Sequence, residues 1–309
     1  MSYRRLHPGR FRALLLVLPL LVPLSLTLAG QAERPLDSGL RLEVQQLLPP
    51  PAVSPATIRI VTFNVHRGLD VPRLATGIQS VSSVGAADVF LLQEIESCES
   101  EGISRAHKLA ETLRMNYVYA PARSTEDGGT HGLAILSRFR ITDVQVIPLK
   151  QYKLVVNTRR RIALAATLDV AGQPLRVYNV HLDTRLNTGD RIEQVRAAVE
   201  AARDDRVAAV VVGGDFNTNP VRWAFHILPL FRSNQAAALD AFMEESGFHT
   251  PLGRNGATLN RRLLKFRADS LYSRGLAVAA SGVERSVKVS DHFPVWMEVA
   301  WPPQEKGAN

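Results

Sequence analysis

The sequence predicts an α/β fold with mixed sheets. Short apolar runs typical of buried strands alternate along the chain with segments of helical periodicity. The 309 residues are 46% hydrophobic, which is enough to bury a sizeable core in one large domain or two small ones. There is no internal repeat, and the intermingling of strands with helices favours sheets of mixed direction.

Residues 1–32 have the pattern of an export signal. Four arginines in residues 4–12 precede residues 13–32, which carry no charge. A basic start, an apolar stretch and small residues after it predict a secretory signal peptide, cut after Ala29 or Ala32. An uncleaved membrane anchor is the alternative, because 20 uncharged residues can just span a bilayer. In both cases we expect the rest of the chain outside the cytoplasm, in the envelope or periplasm or secreted, since the positive flank stays inside.

The segment that follows is predicted to be a linker. Residues 33–56 contain five prolines, which suits an extended spacer. We therefore expect the folded domain to begin near Thr57 and to occupy residues 57–300, with residues 301–309 as a C-terminal tail. We expect the protein to be a monomer.

Local patterns give the elements in order. Strands are predicted at apolar runs too short for helices, at residues 58–63, 88–92, 133–136, 162–170, 175–180, 207–212, 270–272 and 295–299. Helices are predicted where apolar residues recur three and four positions apart, at residues 72–81, 105–115, 190–203 and 239–245. Asn219 followed by Pro220 predicts one more helix, with Asn219 as its N-cap.

Polar side chains cluster at the ends of these predicted strands. A single Asp or Asn after a strand is usually a turn former, and a single buried His is usually a hydrogen-bonded core residue. Many such residues at the rims of apolar runs instead indicate a site on a rigid scaffold. The residues concerned are Asn64, Glu94, His181, Asp215, Asn217, Asp269, Asp291 and His292.

These residue types suit metal-assisted hydrolysis of a phosphoester. Glu94, Asp215 and Asp291 are hard oxygen ligands of the kind that Mg²⁺ or Mn²⁺ prefers. The single cysteine, Cys98, belongs to no Cys/His pattern, which argues against a structural zinc site. The sequence also lacks the Gly-x-Ser-x-Gly motif of acyl hydrolases and the Gly-x-x-x-x-Gly-Lys loop of nucleoside triphosphatases. Attack of a metal-activated water on a phosphoester remains.

The order of motifs resembles a known family. TFNVH, LLQE, LAILSR, NVHLD, GGDFNTNP, RADSLY and SDHFPV follow one another between Thr62 and Val295. This arrangement is similar to the endonuclease/exonuclease/phosphatase superfamily of DNase I-like phosphoesterases. The resemblance implies a four-layer fold, in which a two-sheet β-sandwich is flanked by helices on both outer faces.

The resemblance also implies a role for each site residue. Asn64 and Glu94 would hold the divalent metal, and Asp291 would lie near it. His181 would contact the scissile phosphate and protonate the leaving group, while Asp215 would position or deprotonate the attacking water. The remaining roles are orientation of the phosphate by Asn217, stabilisation of the transition state by His292, and pairing of Asp269 with His292. His66 is a candidate for a further phosphate contact.

The sequence leaves the substrate open. The formal charge of +8 fits an anionic substrate, and basic clusters occur at residues 159–161 and at Arg261, Arg262, Lys265 and Arg267. These clusters suit nucleic-acid phosphates or an anionic membrane, and solvated loop charge is the plain alternative. Two enzymes fit, an exported nuclease and an envelope phosphodiesterase or phosphatase acting on a lipid or small phosphoester. A catalytically inactive binding module is disfavoured because the set of site residues is intact.

Overall fold

The computed structural model describes residues 41–49, 51, 53, 55–154, 159–253, 256–260 and 265–302. The predicted export signal, most of the predicted C-terminal tail, and Arg261 and Arg262 lie outside the described residues. No helix in the described ranges is long and apolar enough to cross a membrane.

The described residues form the following elements. The strands are β1 Glu43–Gln45, β2 Ile58–Arg67, β3 Val89–Ser97, β4 Asn116–Ser124, β5 Thr130–Ser137, β6 Arg140–Pro148, β7 Ile162–Val170, β8 Gln173–His181, β9 Ala209–Asp215, β10 Val221–Ala224, β11 Leu228–Arg232, β12 Asp269–Arg274, β13 Ala277–Val283 and β14 Val295–Ala300. The helices are α1 Val71–Gln79, α2 Ser82–Gly85, α3 Arg105–Leu113, α4 Thr188–Asp204 and α5 Gln235–Glu245.

In the described part of the chain, the strands form two mixed sheets and a separate hairpin. The seven-stranded sheet has the order β1-β4-β5-β3-β2-β14-β13, and the five-stranded sheet has the order β12-β9-β8-β7-β6. Strands β2 and β3 are parallel, as are β8 and β9, and the other neighbours are antiparallel. The antiparallel hairpin β10–β11 belongs to neither sheet.

The two sheets pack face to face, with helices outside them. Leu91 of one sheet and Leu164 and Val211 of the other belong to the apolar core between the sheets. A second core packs α1 and α3 against the outer face of the seven-stranded sheet, and a third packs α4 and α5 against the five-stranded sheet. The four-layer sandwich that the resemblance implied is therefore confirmed.

The structure differs from the sequence-based prediction at the start of the domain. Strand β1 lies inside the segment expected to be a linker, and it pairs with β4 from Glu43 opposite Tyr119 to Gln45 opposite Tyr117. The side chains of Ser104 and Tyr117 both donate hydrogen bonds to the Glu43 carboxylate. The sheet therefore begins before Thr57, because β1 satisfies backbone groups of β4 that would otherwise form an open edge.

The prediction of a helix after Asn219 is wrong. The chain continues as strand β10, and Asn219 Oδ1 accepts a hydrogen bond from the backbone N–H of Val221 at 3.1 Å. An asparagine that bonds the N–H two residues ahead forms a turn that mimics a backbone turn. Asn-Pro is compatible with both a turn and a helix N-cap, and the pairing of β10 with β11 selects the turn.

The two glycines before Asp215 let β9 pack closely on its neighbours. A Cβ atom on Gly214 would lie 2.0 Å from the carbonyl oxygen of Val180, and one on Gly213 would lie 2.5 Å from a methyl group of Leu271. Neither position has room for a side chain. This close packing fixes the end of β9, and so Asp215, between β8 and β12.

Candidate active site

The predicted site residues converge because neighbouring strands end or begin at one edge of the sandwich. His181 lies opposite Asp215 in the parallel pairing of β8 and β9, and Asp269 lies opposite Asp215 in the pairing of β12 and β9. Glu94 occupies a bulge in β3 with a φ of 59°, in the left-handed region. A bulge redirects a side chain.

Asp215, Asp269 and His292 form a buried group of charges. The side chain of His292 bonds Asp269 Oδ2 through Nδ1 at 2.8 Å, and its Nε2 lies 3.8 Å from Asp215 Oδ2. Burial opposes the charge on His292, but the carboxylates of Asp269 and Asp215 outweigh it and raise the pKa of His292 to about 10. Burial, assisted by repulsion from Asp269, raises the pKa of Asp215 above its ordinary value. His292 is therefore an imidazolium at neutral pH.

His181 faces the same point from the other side. Its Nε2 lies 3.6 Å from Asp215 Oδ2 and 3.7 Å from Glu94 Oε1. These distances are too long for hydrogen bonds. Burial and the nearby positive charges of Arg161 and the other histidines hold the pKa of His181 well below its ordinary value. A bound phosphate would favour the protonated form, because a nearby negative charge raises the pKa of an imidazole.

The carboxylates of Glu94 and Asp291 form the outer side of the site. His66 Nδ1 lies 3.4 Å from Asp291 Oδ1 and 4.0 Å from Glu94 Oε2. Both carboxylate side chains are about a quarter exposed. Asn64 is buried, where it donates to Asp215 Oδ2 at 3.0 Å and accepts from the backbone N–H of His66 at 3.1 Å.

The donor atoms fit a hard divalent cation. Glu94, Asp291 and Asn64 offer carboxylate and amide oxygens, the ligands that Mg²⁺ and Mn²⁺ prefer. Asp215, Asp269 and His292 also offer ligand atoms, all within 4.8 Å of one another. We favour the outer set for a cation, because His292 in the inner set is a bonded imidazolium that has no lone pair for a metal.

Asn217 fixes the loop after β9. Its backbone has a φ of 53°, its N–H donates to Asp215 Oδ1 at 2.8 Å, and its side-chain amide donates to the carbonyl oxygen of Leu182 at 2.8 Å. The residue therefore ties the ends of β8 and β9 together beside Asp215. A left-handed backbone at a residue other than glycine is a strained conformation of the kind that clusters at functional sites.

Comparison with known proteins identifies the family. The model of the endonuclease/exonuclease/phosphatase family matches residues 61–292, which is more than half of the chain. The chain belongs to the endonuclease/exonuclease/phosphatase family. Members of this family hydrolyse phosphoesters, so the converging residues form the candidate active site of a phosphoesterase. A search of curated proteins finds no significant match.

Solved structures of the endonuclease/exonuclease/phosphatase family share the fold at low identity. One from Beutenbergia cavernae DSM 12333 is 21% identical with a TM-score of 0.63, and the alignment covers 80% of this chain and 72% of that one. The human Nocturnin catalytic domain is 16% identical with a TM-score of 0.59, covering 85% and 97%. A mannosyl-6-phosphatase from Bacteroides thetaiotaomicron VPI-5482 is 18% identical with a TM-score of 0.57, covering 79% and 100%. At these identities the likeness shows the fold alone.

The structure adds a cationic wall that the family motifs do not contain, formed by Arg123 and Arg161 together with the buried imidazole of His131. Arg123 lies opposite His131 in the pairing of β4 and β5, and Arg161 bonds Asp183 at 2.8 Å. His131 and Arg161 line a depression together with His181. Burial, with repulsion from Arg159 and Arg161, lowers the pKa of Arg123 to about 10, and burial lowers the pKa of His131 below its ordinary value, so the two arginines carry the positive charge of this wall.

Sequence reasoning found only part of this wall. The basic cluster at residues 159–161 was visible, but Arg123 and His131 belong to no motif and to no charge run. Their nearness depends on the antiparallel register of β4 and β5. The predicted site residues, in contrast, all lie at the edge of the sandwich where the strand ends come together.

Proposed function

We propose that this chain is an exported, divalent-metal-dependent phosphoesterase that cleaves an anionic phosphoester by in-line attack of water. One observation carries the proposal. His181 and His292 approach the same oxygen of Asp215 at 3.6 and 3.8 Å, and Glu94 lies 3.7 Å from His181. Two imidazoles and two carboxylates around one point provide a proton acceptor, proton donors and a charge partner for a phosphate.

Asp215 is assigned to the attacking water. Its raised pKa makes it a better proton acceptor than an exposed carboxylate, because a base works best when its pKa lies near the working pH. Hydrogen bonds from Asn64 and from the backbone of Asn217 fix both of its oxygens. The carboxylate is therefore oriented before a substrate arrives.

We assign to the two histidines the contacts with the phosphate group of the substrate. His292 is charged because Asp269 bonds its Nδ1, which leaves the Nε2 proton for an oxygen of the phosphate as negative charge develops. A phosphate bound beside His181 would raise the pKa of its imidazole, and the protonated ring could then give its proton to the leaving group. Such a histidine supplies acid at the moment when the bond to the leaving oxygen breaks.

A divalent cation would be held by Glu94 and Asp291, with Asn64 nearby. When bound, it would neutralise charge on the phosphate oxygens. The carboxylates of Glu94 and Asp291 both lie within 4.0 Å of His66 Nδ1. His66 is therefore positioned to contact either the cation's ligands or a phosphate oxygen.

The cationic wall supports an anionic substrate but not one class of phosphoester. Arg123, His131 and Arg161 suit a nucleic-acid backbone, a lipid headgroup or a small sugar phosphate equally. Export would favour a substrate found outside the cytoplasm. We therefore retain two candidates, an envelope phosphodiesterase or phosphatase and an exported nuclease.

A parallel assay tests the proposal. Purified residues 36–309, which form one compact unit, would be incubated with Mg²⁺ or Mn²⁺ on plasmid DNA, RNA, sphingomyelin, phosphatidylinositol phosphates and bis-p-nitrophenyl phosphate. We expect hydrolysis of at least one substrate by the wild type and a rate lower by about 10²-fold or more with Asp215→Asn. Binding without turnover on every substrate would instead indicate an inactive binding module. Equal turnover by both proteins would refute the assigned site.

A further inference from the structure

The hairpin β10–β11 exposes an unusual amount of apolar surface. Phe225 at its tip is 84% exposed, Leu228 and Leu230 are each 54% exposed, and Ile227 is 37% exposed. Single exposed apolar residues are normal on protein surfaces, but a contiguous group marks a surface that contacts a protein partner or a membrane. The four residues occupy a stretch of six positions.

The hairpin is held in place at its base. Asn187 accepts from the backbone N–H of Trp223 at 2.8 Å and donates to its carbonyl oxygen at 2.9 Å. Gln235 donates to the carbonyl oxygen of Val221 at 2.8 Å, and His226 bonds the carbonyl oxygen of Arg185. These bonds tie the base of the hairpin and its turn residue His226 to the segment after β8 and to the start of α5, so that the neighbouring Phe225 is exposed on a fixed support.

The turn at the tip reinforces this presentation. Phe225 and His226 have φ values of 51° and 57°, so they are two successive left-handed residues in the three-residue loop 225–227 that joins Ala224 to Leu228, and such positions normally favour Gly, Asn or Asp. Phenylalanine is a costly choice at such a position. A strained, exposed aromatic residue at a fixed hairpin tip does not stabilise the fold, which indicates that its role is to contact a partner outside the protein.

The charges around the tip favour an anionic partner. Residues 216–239 contain Arg222 and Arg232, both exposed, and neither Asp nor Glu. The guanidinium of Arg185 lies 5.6 Å from the ring centroid of Trp223, at the base. Asp190 contributes one carboxylate, 3.8 Å from His226 Nε2. The balance around the hairpin is therefore basic.

We propose that hairpin β10–β11 inserts its tip into the interface of a lipid bilayer that contains anionic lipid. An apolar tip with a tryptophan and arginines at its base is the arrangement that interfacial anchors use, with the apolar atoms among the acyl chains and the charges at the headgroups. The hairpin joins the loop that carries Asn217, so insertion would bring the candidate active site close to the membrane surface. The inference does not depend on the proposed hydrolysis.

A depth-sensitive label tests the insertion in the full chain. Two variants, Phe225→Cys and Val278→Cys, would each carry Cys98→Ser, leaving a single thiol for an environment-sensitive fluorophore. Val278 is an exposed residue of edge strand β13 and serves as the matched control. With phosphatidylcholine/phosphatidylglycerol vesicles, we expect a blue shift and quenching by bromolipid for the label at 225 and neither for the label at 278. Any anchoring by the N-terminal segment is common to both variants.

The other outcomes overturn the inference. No change at position 225, or equal changes at both positions, would show that the hairpin does not insert. A concentration-dependent blue shift at 225 without vesicles would identify a second copy of the chain as the partner. A second variant, Arg222→Gln with Arg232→Gln, should weaken the quenching at 225 and remove its dependence on anionic lipid and on salt. An unchanged lipid dependence in that variant would contradict the role of charge.

Discussion

At the scale of single residues, the main feature is a buried carboxylate beside a buried imidazolium. Asp215 and His292 are 1% and 7% exposed, and such groups are costly to bury unless each has partners. Asn64, the backbone of Asn217 and Asp269 supply those partners. This arrangement is typical of charged groups that are oriented to stabilise a transition state, and it is not one that makes the folded protein more stable.

We expect Asp215→Asn and His292→Ala each to lower kcat by about 10²–10⁴-fold, because each group acts mainly in the transition state. KM should change much less. The loss in the double variant should be smaller than the product of the two single losses, since both groups act on one reacting centre. Full turnover by Asp215→Asn on any substrate that the wild type cleaves would overturn the assignment.

Asn234 provides a matched control for those variants. Its side chain accepts a hydrogen bond from the backbone N–H of Ala237 and caps α5. Asn234→Ala should lower the free energy of unfolding by roughly 0.5–2 kcal/mol and leave kcat nearly unchanged. Urea denaturation and steady-state kinetics on the same preparations separate a loss of stability from a loss of chemistry.

At the scale of elements, Arg191 joins α4 to the loops that follow β8 and β9. It is buried, and its guanidinium donates to the carbonyl oxygens of Asp183 and Phe216 at 2.8 and 2.6 Å and to the side chain of Gln235 at 2.9 Å. One fully paired arginine thus fixes two segments that carry site residues. Its rigid fork of donors cannot be replaced by a lysine.

We expect Arg191→Met to lower the free energy of unfolding by about 3–5 kcal/mol, because several buried carbonyl groups lose their donors. Arg196→Met is the control on the same helix. The side chain of Arg196 is 41% exposed and pairs with Glu193, so its replacement should cost less than about 1 kcal/mol. Similar urea midpoints for the two variants would contradict this assignment.

The start of α3 gives a pH-dependent prediction. Hydrogen bonds from Arg105 and Lys108 lower the pKa of Glu101 from 4.5 to about 2. A lowered folded-state pKa contributes stability that is present above the unfolded value and is lost as pH falls through the folded value. Glu101→Gln should therefore be less stable than wild type at pH 7, and the difference should shrink below about pH 4.5.

Urea midpoints of wild type and Glu101→Gln, measured from pH 7 downward, check this. Glu101 lies in a short 3-10 turn, Glu99–Glu101, that precedes α3; the exposed Glu99 belongs to the same turn, and Glu99→Gln is the control. A difference between Glu101→Gln and wild type that stays constant to pH 3 would show that the ion pair contributes nothing to the stability.

At the scale of the whole molecule, we expect both the activity and the thermal stability to depend on a divalent metal ion. Excess EDTA should abolish activity, and Mg²⁺ or Mn²⁺ should restore it better than Zn²⁺. Mg²⁺ should also raise the Tm of the wild type, since a ligand that binds only the folded state stabilises it. The Tm shift should be lost in Glu94→Gln and kept in Glu244→Gln, whose side chain is 73% exposed. Activity that persists in EDTA would exclude the metal mechanism.

Export is the second prediction at this scale. Residues 1–40 fused to a reporter that works only outside the cytoplasm should give an active reporter, because the basic start and the apolar run direct translocation. The fusion should end before β1, since that strand belongs to the sheet. A silent reporter at normal expression would refute export. Release or retention of the fusion separates a cleaved signal from an anchor.

The sequence by itself determined the alternation of strands and helices and the kinds of polar side chain that lie at the strand ends. The buried strands at residues 58–63, 88–92 and 207–212 were readable because both of their faces are covered, which requires continuous apolar runs. The edge strands β6 and β13 and the short β1 were missed, because strands with an exposed face or few residues have no strong local pattern. The buried strand β4 was missed as well, because Pro121 interrupts its apolar run and a proline argues locally against a strand.

Only the tertiary structure decided which of those polar side chains lie next to one another. The register of β8, β9 and β12 places His181 and Asp269 beside Asp215, and the register of β4 and β5 brings Arg123 to His131. The pairing of β10 with β11 turned an expected helix after Asn219 into a hairpin with an exposed apolar tip. Register and pairing depend on contacts between residues distant in the chain, so local propensity cannot encode them.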